Sequence, residues 1–112
     1  GFIFGPLLAS KLNAGFVPIR KPGKLPSTTL SETYDLEYGT DTLEIHTDSI
    51  QKGDMVLIHD DVLATGGTAS AACKLVEKLG GTIVQCNFLI EITFLEGISK
   101  IEDYEAKSLL KY

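Results

Sequence analysis

The sequence has 112 residues, the size of about one domain, with 44% hydrophobic and 22% charged residues, which is an ordinary globular composition. Collagen-like, low-complexity and disordered chains are therefore excluded. Ten Lys and Arg residues against fifteen Asp and Glu residues give a formal net charge of −5. This balance argues against sequence-independent nucleic-acid binding, which needs a basic face, but it is compatible with a local site for a small anion.

No segment has the length of a membrane-spanning helix. The longest apolar stretch is Phe2–Ala9, interrupted by Gly5 and Pro6, and it is far shorter than the ~20 residues that such a helix needs. It also lacks the basic flank and the cleavage site of a signal peptide. Because the chain opens at Gly1 on this apolar run, we expect a further N-terminal segment before it, and we expect no association with a membrane.

The two cysteines, Cys73 and Cys86, lie 13 positions apart and form no C-x-x-C motif. Neither His46 nor His59 has metal-ligand spacing to them. We therefore interpret the pair as reduced thiols in the core of a cytoplasmic protein.

The N-terminal half predicts a helix, a short strand, a long loop and a hairpin. Gly1–Asn13 has apolar residues at the spacing of one helical face, and Phe16–Ile19 is a brief apolar run typical of a strand. Residues 20–33 are rich in proline, basic and hydroxyl residues and predict a loop long enough to be a functional lid. Residues 34–38 and 42–46 alternate apolar and polar side chains on either side of a Gly-Thr-Asp turn, which predicts two hairpin strands.

The C-terminal half predicts a strand–helix–strand unit. Met55–Ile58 is a continuous apolar run, as in a strand buried on both faces. Ala69–Leu79 is amphipathic with the period of a helix, and Thr82–Ile92 is a second apolar strand. We expect Phe94–Lys100 to form a short helix and Leu109–Tyr112 a terminal strand.

These elements indicate an α/β fold in a single domain spanning residues 1–112. A strand, a helix and a strand in that order form a parallel crossover. We therefore expect a mostly parallel sheet flanked by helices, with an antiparallel hairpin and a flexible loop appended to it.

The segment that carries chemistry follows the first apolar strand of this crossover. Asp60 and Asp61 are adjacent carboxylates at the strand's carboxyl end, and Ala64–Thr68 is a turn rich in glycine and threonine that opens a helix. Ligands of open α/β sheets bind at the carboxyl ends of strands, and a glycine-rich turn before a helix presents backbone N–H groups to a phosphate. The carboxylates suit sugar hydroxyls or the hydration shell of Mg²⁺. A phosphorylated sugar offers both kinds of group.

The alternatives to a sugar-phosphate site are less specific. The turn matches neither G-x-x-x-x-G-K-[ST] nor G-x-G-x-x-G, so ATPase and dinucleotide-binding functions lose support. The structural alternative is an ordinary strand-to-helix turn with two solvated acids before it. That alternative does not account for an acid pair, two glycines and flanking threonines together.

The segment Val56–Thr68 resembles the phosphoribosyl-diphosphate (PRPP) signature of the type I phosphoribosyltransferases, an apolar strand followed by D-D-x-x-A-T-G-G-T. Within that superfamily the chain is similar, over essentially all its residues, to the adenine phosphoribosyltransferases. The segments that carry this closer similarity are residues 1–6 (GFIFGP), 19–26 (IRKPGKLP), 34–39 (YDLEYG) and 43–45 (LEI).

The resemblance implies transfer of ribose 5-phosphate from PRPP to adenine, giving AMP and diphosphate, with Mg²⁺ as cofactor. It implies no direct metal ligands, because Mg²⁺ is bound mainly through PRPP and water. The implied site residues are Asp60 and Asp61 for the ribose hydroxyls; Ala64, Thr65, Gly66, Gly67 and Thr68 for the 5′-phosphate; Arg20, Lys21 and Lys24 for the diphosphate; Glu37 and Tyr38 as catalytic residues closing over the reacting centre; and Val62 beside the base.

Several expectations accompany this resemblance. The family implies a homodimer and a cytoplasmic enzyme of purine salvage, with partners adenine, PRPP, AMP and diphosphate. His59 stands where the family usually has an apolar residue, and we interpret it as a half-buried strand residue. Three alternatives remain: a xanthine- or hypoxanthine-type phosphoribosyltransferase, a non-catalytic regulator that senses PRPP, and an inactive fragment of the fold.

Overall fold

The computed structural model describes residues 4–23, 28–35 and 39–112. The chain begins with helix α1 (Phe4–Lys11) and continues into a hairpin of strands β1 (Thr29–Asp35) and β2 (Thr40–His46). The elements that follow are β3 (Met55–Leu63), α2 (Gly67–Lys78), β4 (Thr82–Glu91), two short 3₁₀ helices (Thr93–Leu95 and Gly97–Ile101) and β5 (Ala106–Lys111). This is the α/β fold that the sequence predicts.

The main sheet has three strands in the order β3–β4–β5, all of them parallel. Strand β3 pairs with β4 from Met55 opposite Thr82 to Leu63 opposite Glu91. Since α2 connects these two strands, the predicted parallel crossover is confirmed. All three strands therefore end at the same edge of the sheet, where ligands of such sheets bind.

The core lies between α2 and one face of this sheet. Leu75 and Val76 of the helix and Phe88 of β4 are almost fully buried, and they belong to one continuous apolar cluster. The helix ends at Leu79, and Gly80 follows with a φ of 91°. A left-handed residue after the last turn is the usual way for a helix to end, and glycine takes it without strain.

Strands β1 and β2 pair antiparallel in a separate two-stranded sheet. Leu43 and Ile45 of β2 point into the apolar cluster that α2 and the main sheet form. The hairpin is thus anchored by its apolar residues, and β1 runs beside α2. The hairpin thus reaches both ends of α2, with Glu32 beside Lys78 and Tyr34 beside Thr68.

Two predictions about the N-terminal half are wrong. Residues 14–19 form no regular strand; only Arg20 makes a single bridge to Glu44. Pro18 explains this, because proline has no N–H to donate to a ladder. Strand β1 begins at Thr29, inside the predicted loop. Its hydroxyl residues are typical of loops, but threonine is also β-branched and suits a strand that has a partner.

The boundaries around the crossover also differ from the prediction. Strand β3 continues through Leu63 instead of ending at Ile58, because its backbone keeps pairing with β4 although its side chains become polar. Helix α2 starts at Gly67, two residues before the predicted Ala69. The predicted helix over Phe94–Lys100 is instead the pair of 3₁₀ helices, and β5 starts before the predicted Leu109. Across the described ranges, no helix has both the length and the apolar character needed to cross a bilayer.

Both cysteines are free thiols in the core, with Cys73 on α2 and Cys86 on β4. Their Sγ atoms lie 3.6 Å apart. The hydrogen bond to Cys86 and burial raise the pKa of the Cys73 thiol, so it stays protonated at neutral pH.

We therefore predict that neither thiol reacts with a soluble aromatic disulfide in the native chain. Labelling should be slower than for an exposed thiol by about a thousand-fold or more, since it requires opening of a core stabilised by roughly 5 kcal/mol or more. In denaturant, both thiols should react. Lys74→Cys, at an exposed position next to Cys73, is the control that should label quickly. Rapid labelling of the native chain itself would contradict this description of the core.

Candidate active site

The two carboxylates lie in the second half of β3, as its sixth and seventh residues. Asp60 is partly buried, Asp61 is exposed, and the backbone N–H of Asp61 donates to Asp60 Oδ1 over 2.8 Å. The expectation that the acids follow the strand is wrong, since β3 continues to Leu63. Asp60 lines a cavity of about 530 Å³ that also includes Thr68 and His59.

Helix α2 begins directly after the turn that follows β3, and its N-cap residue makes no side-chain hydrogen bond to the first amides. Gly66 is the N-cap residue, with a φ of 87°, and its carbonyl accepts the first helical hydrogen bond from Ser70 N–H over 2.9 Å. The first turn of α2 contains no acidic residue. N–H groups in the first turn of a helix have no carbonyl partner within the helix, and the positive end of the helix dipole lies among them. The arrangement therefore suits a phosphate.

Gly97, in the second 3₁₀ helix, packs closely against the backbone of this turn at Ala64 and Gly66. A Cβ at Gly66 would lie 2.3 Å from the carbonyl oxygen of Gly97, and a Cβ at Gly97 would lie 2.2 Å from the carbonyl oxygen of Ala64. Both of these contacts are with backbone, which cannot swing aside as a side chain can. The glycine at position 66 is thus required by its positive φ and by the protein's own packing.

Tyr34, near the end of β1, covers the start of α2. Its hydroxyl is 3.1 Å from Thr68 Oγ1, and a Cβ at Gly67 would lie 3.0 Å from its Cδ2. The aromatic ring therefore lies against Gly67, and its hydroxyl meets one of the predicted phosphate-binding residues. The sequence predicts that Tyr34 lies in a hairpin strand, and no motif in the sequence assigns it to the site.

The two described cations of the loop after α1 are held by β2. Arg20 pairs with Glu44 through two backbone hydrogen bonds, and Lys21 Nζ lies 3.2 Å from Asp41 Oδ2. The pKa of Asp41 is lowered by the backbone N–H of Thr42, which donates to its carboxylate, and by Lys21. Asp41 is opposite Tyr34 in the hairpin register. The cations predicted to meet a diphosphate are therefore connected to the hairpin that contacts Thr68.

Two further residues of β3, His59 and Val62, lie on either side of the acid pair in the sequence. Val62 is 42% exposed, and its place beside the base stays a prediction. His59 is partly buried, its Nδ1 lies 3.0 Å from Asn87 Oδ1, and its buried Nε2 has no hydrogen-bond partner among the described residues. His59 thus has the half-buried position expected of a strand residue.

Three of the predicted site residues, Lys24, Glu37 and Tyr38, lie outside the described residues, and their roles stay predictions. Of the others, the structure brings Thr68 beside Tyr34 and places Ala64 and Gly66 against Gly97. Within the described parts of the chain, no group of three or more His, Cys, Asp or Glu side chains could hold a metal ion.

Comparison with known proteins places the chain in a family. Residues 1–109 match the family described as the phosphoribosyl transferase domain. The chain belongs to that family. The turn Ala64–Thr68 and the two carboxylates described above lie within the matched residues.

Relatives of the phosphoribosyl transferase domain are similar over the whole chain. The adenine phosphoribosyltransferase of Christiangramia forsetii is 66% identical over 112 residues, which are 100% of this chain and 66% of that protein. The crystal structure of adenine phosphoribosyltransferase from Thermoanaerobacter pseudethanolicus has a TM-score of 0.98 and 57% identity, with 100% of this chain and 65% of that chain covered. The Saccharomyces cerevisiae enzyme, complexed with an imino-altritol bisphosphate and adenine, has a TM-score of 0.92 and 47% identity, over 96% of this chain and 61% of that chain.

The close approach of Gly97 to the backbone of Ala64 and Gly66 leads to a prediction about stability. We expect Gly97→Ala to destabilise the chain by about 1–3 kcal/mol, the usual cost of forcing extra atoms into a packed position. The transition midpoint should fall by several degrees, since about 1 kcal/mol corresponds to roughly 4–8 °C in a small domain. Thermal unfolding followed by circular dichroism is the measurement.

The matched control for this prediction is Gly15→Ala. A Cβ at Gly15 meets nothing within 4 Å, so the midpoint of this variant should change little. Equal midpoints for the Gly97 variant and the unmodified chain would show that the turn does not depend on the close approach of Gly97.

Proposed function

We propose that the protein containing this chain is an adenine phosphoribosyltransferase of purine salvage. It transfers ribose 5-phosphate from PRPP to adenine and releases AMP and diphosphate. The observation that carries this proposal is the start of α2, where the N-cap residue Gly66 has a positive φ and no side chain to cap the first amides, a few residues after Asp60 and Asp61. The relatives of highest identity named above support adenine as the base.

The reaction exchanges one bond at C1′ of the ribose for another. The bond from C1′ to the diphosphate oxygen breaks, the bond from C1′ to N9 of adenine forms, and the N9 proton leaves. Positive charge develops on the ribose while the leaving diphosphate becomes more negative. A site for this reaction therefore needs cations aimed at the diphosphate and fixed donors for the 5′-phosphate.

The chain's own residues have distinct roles in this proposal. The amides and hydroxyls of Ala64–Thr68 bind the 5′-phosphate, and Asp60 and Asp61 accept hydrogen bonds from the ribose hydroxyls. Arg20, Lys21 and Lys24 meet the diphosphate. Glu37 and Tyr38 close over the reacting centre, where Glu37 takes the proton of N9 or holds the closed loop, and Val62 borders the base.

Magnesium fits this site as a substrate-bound ion. Mg²⁺ keeps several waters and is usually held by one or two carboxylates together with substrate phosphates. Asp60 and Asp61 suit the hydration shell of the ion, which is bound mainly through PRPP and water, and the described residues contain no group of three or more His, Cys, Asp or Glu that could hold a metal ion. When bound, the ion neutralises charge on the diphosphate. We further propose that the enzyme is a cytoplasmic homodimer, as its family suggests.

The test is product formation from PRPP and Mg²⁺ with adenine, hypoxanthine and xanthine offered separately. We expect AMP from adenine, measured by chromatography, and little or no product from the other two bases. Product from hypoxanthine or xanthine instead would overturn the base assignment. Binding of PRPP with no product from any base would favour the regulatory alternative.

The carboxylates give a sharper prediction. Asp60→Asn and Asp61→Asn should each lower kcat/KM with adenine and PRPP by about 10- to 150-fold, because a hydrogen bond to a charged group contributes roughly 1.5–3 kcal/mol and ~1.4 kcal/mol is one decade in rate. Asp48→Asn, an exposed acid in the turn after β2, is the control and should retain full activity. Near-normal kcat/KM in a folded Asp60 or Asp61 variant would remove that residue from the ribose site.

A further inference from the structure

The contact between Tyr34 and the start of α2 has no role in the function proposed above. Tyr34 lies in the second-last position of β1, and Thr68 is in the first turn of α2. Their hydroxyl oxygens are 3.1 Å apart although the residues are 34 positions apart in sequence. The ring of Tyr34 fits against Gly67, where any side chain would crowd it.

We propose that Tyr34 is a positioning residue for phosphate binding, which fixes the hydroxyl of Thr68 and couples the β1–β2 hairpin to the phosphate-binding turn. This inference rests on the proposed function, because it assumes that Thr68 meets the 5′-phosphate of the ligand. It adds a residue that neither the motif nor the resemblance assigns to the site.

The direction of the hydrogen bond follows from the chemistry of two hydroxyls and an anion. Each hydroxyl has one proton to donate and can also accept. A phosphate accepts only, so with phosphate bound Thr68 donates its proton to it, and Thr68 Oγ1 then accepts the proton of Tyr34, for which the carboxylate of Asp41 is the other acceptor. Hydrogen bonds in such a chain strengthen one another. The hydroxyl of Tyr34 therefore favours the one orientation of the Thr68 proton that a phosphate needs.

The same tyrosine connects the phosphate turn to a cation of the loop. Its cross-strand partner is Asp41, and the carboxylate of Asp41 is paired with Lys21 over 3.2 Å. A phosphate on Thr68 thus stabilises the Tyr34 contact, and that contact holds the part of the hairpin that contains Asp41, the partner of Lys21. By reciprocity of linked equilibria, fixing the hairpin must also favour phosphate binding.

The test is the affinity of the chain for AMP, with adenosine as the probe that lacks the phosphate. Tyr34→Phe keeps the ring on Gly67 and removes only the hydroxyl. We expect the Kd for AMP to rise by about 3- to 10-fold, the range for loss of one neutral hydrogen bond, while the Kd for adenosine stays unchanged. Isothermal calorimetry measures both constants.

The matched control is Thr33→Val in the same strand. It removes the hydroxyl contact between Thr33 and Thr42, which are 3.0 Å apart, without touching the phosphate turn. We expect both Kd values to stay unchanged. If Thr33→Val weakened AMP binding as much as Tyr34→Phe, general loosening of the hairpin would explain the effect and the proposal would be overturned.

A double variant tests whether Tyr34 acts through Thr68. In a Thr68→Val background, Tyr34→Phe should cause no further loss of AMP affinity, since its partner is already missing. Full additivity of the two losses would overturn the coupling. Hydrogen exchange gives an independent readout: AMP should slow exchange of the β1 amides in the unmodified chain and should have much less effect in Tyr34→Phe.

The outcomes separate this inference from the proposed function. If the unmodified chain binds AMP and Tyr34→Phe binds it equally well, the positioning role fails and the function stands. If the unmodified chain binds neither AMP nor ribose 5-phosphate, both fail together. Weaker AMP binding in Tyr34→Phe with unchanged adenosine binding supports both.

Discussion

The structure of the site depends on one backbone contact, the close approach of Gly97 to the turn Ala64–Gly66. Neither Gly66 nor Gly97 has room for a Cβ, because each faces the backbone of the other segment. The segment after β4 therefore packs against the turn after β3, while the N-cap residue Gly66 offers no side chain to the first amides of α2. Since α2 also contributes many of the buried residues of the core, the turn predicted to bind phosphate is attached directly to a helix packed in that core.

Backbone pairing explains both the parts of the fold that the sequence predicts and the parts that it does not. Met55–Ile58 and Thr82–Ile92 are apolar runs, so burial alone identifies the crossover. Where β3 becomes polar at Asp60, the sequence pattern ends but the ladder with β4 does not. Ladder hydrogen bonds join main-chain atoms, so side-chain polarity is a poor guide to where a strand ends. At Pro18 the apolar pattern predicts a strand, but the missing N–H of proline removes a ladder hydrogen bond, and no strand forms there.

The residues of the candidate site also fall into a group that the sequence identifies and a group that it does not. Asp60, Asp61 and Ala64–Thr68 are contiguous, so their chemistry is visible as a motif in the sequence. Gly97 and Tyr34 reach that motif only through the tertiary structure, and although Tyr34 begins the YDLEYG segment, no local pattern assigns either residue to the turn. Any glycine in a 3₁₀ segment and any tyrosine in a hairpin strand would look the same. The residues that pack against the predicted phosphate turn can therefore be identified only from the structure, whereas the residues predicted to contact phosphate can be identified from the sequence.

Glu44 explains how the loop cations are placed. Its backbone pairs with Arg20, its Oε1 accepts from Gly23 N–H over 3.1 Å, and its Oε2 accepts from the Thr29 hydroxyl over 3.2 Å. One strand residue thus holds both sides of the segment that contains the predicted diphosphate-binding lysines. The hairpin itself is fixed to the core by Leu43 and Ile45 of β2. Movement of Arg20 and Lys21 relative to the phosphate turn must therefore break their pairing with β2 or the contact that Tyr34 makes with Thr68.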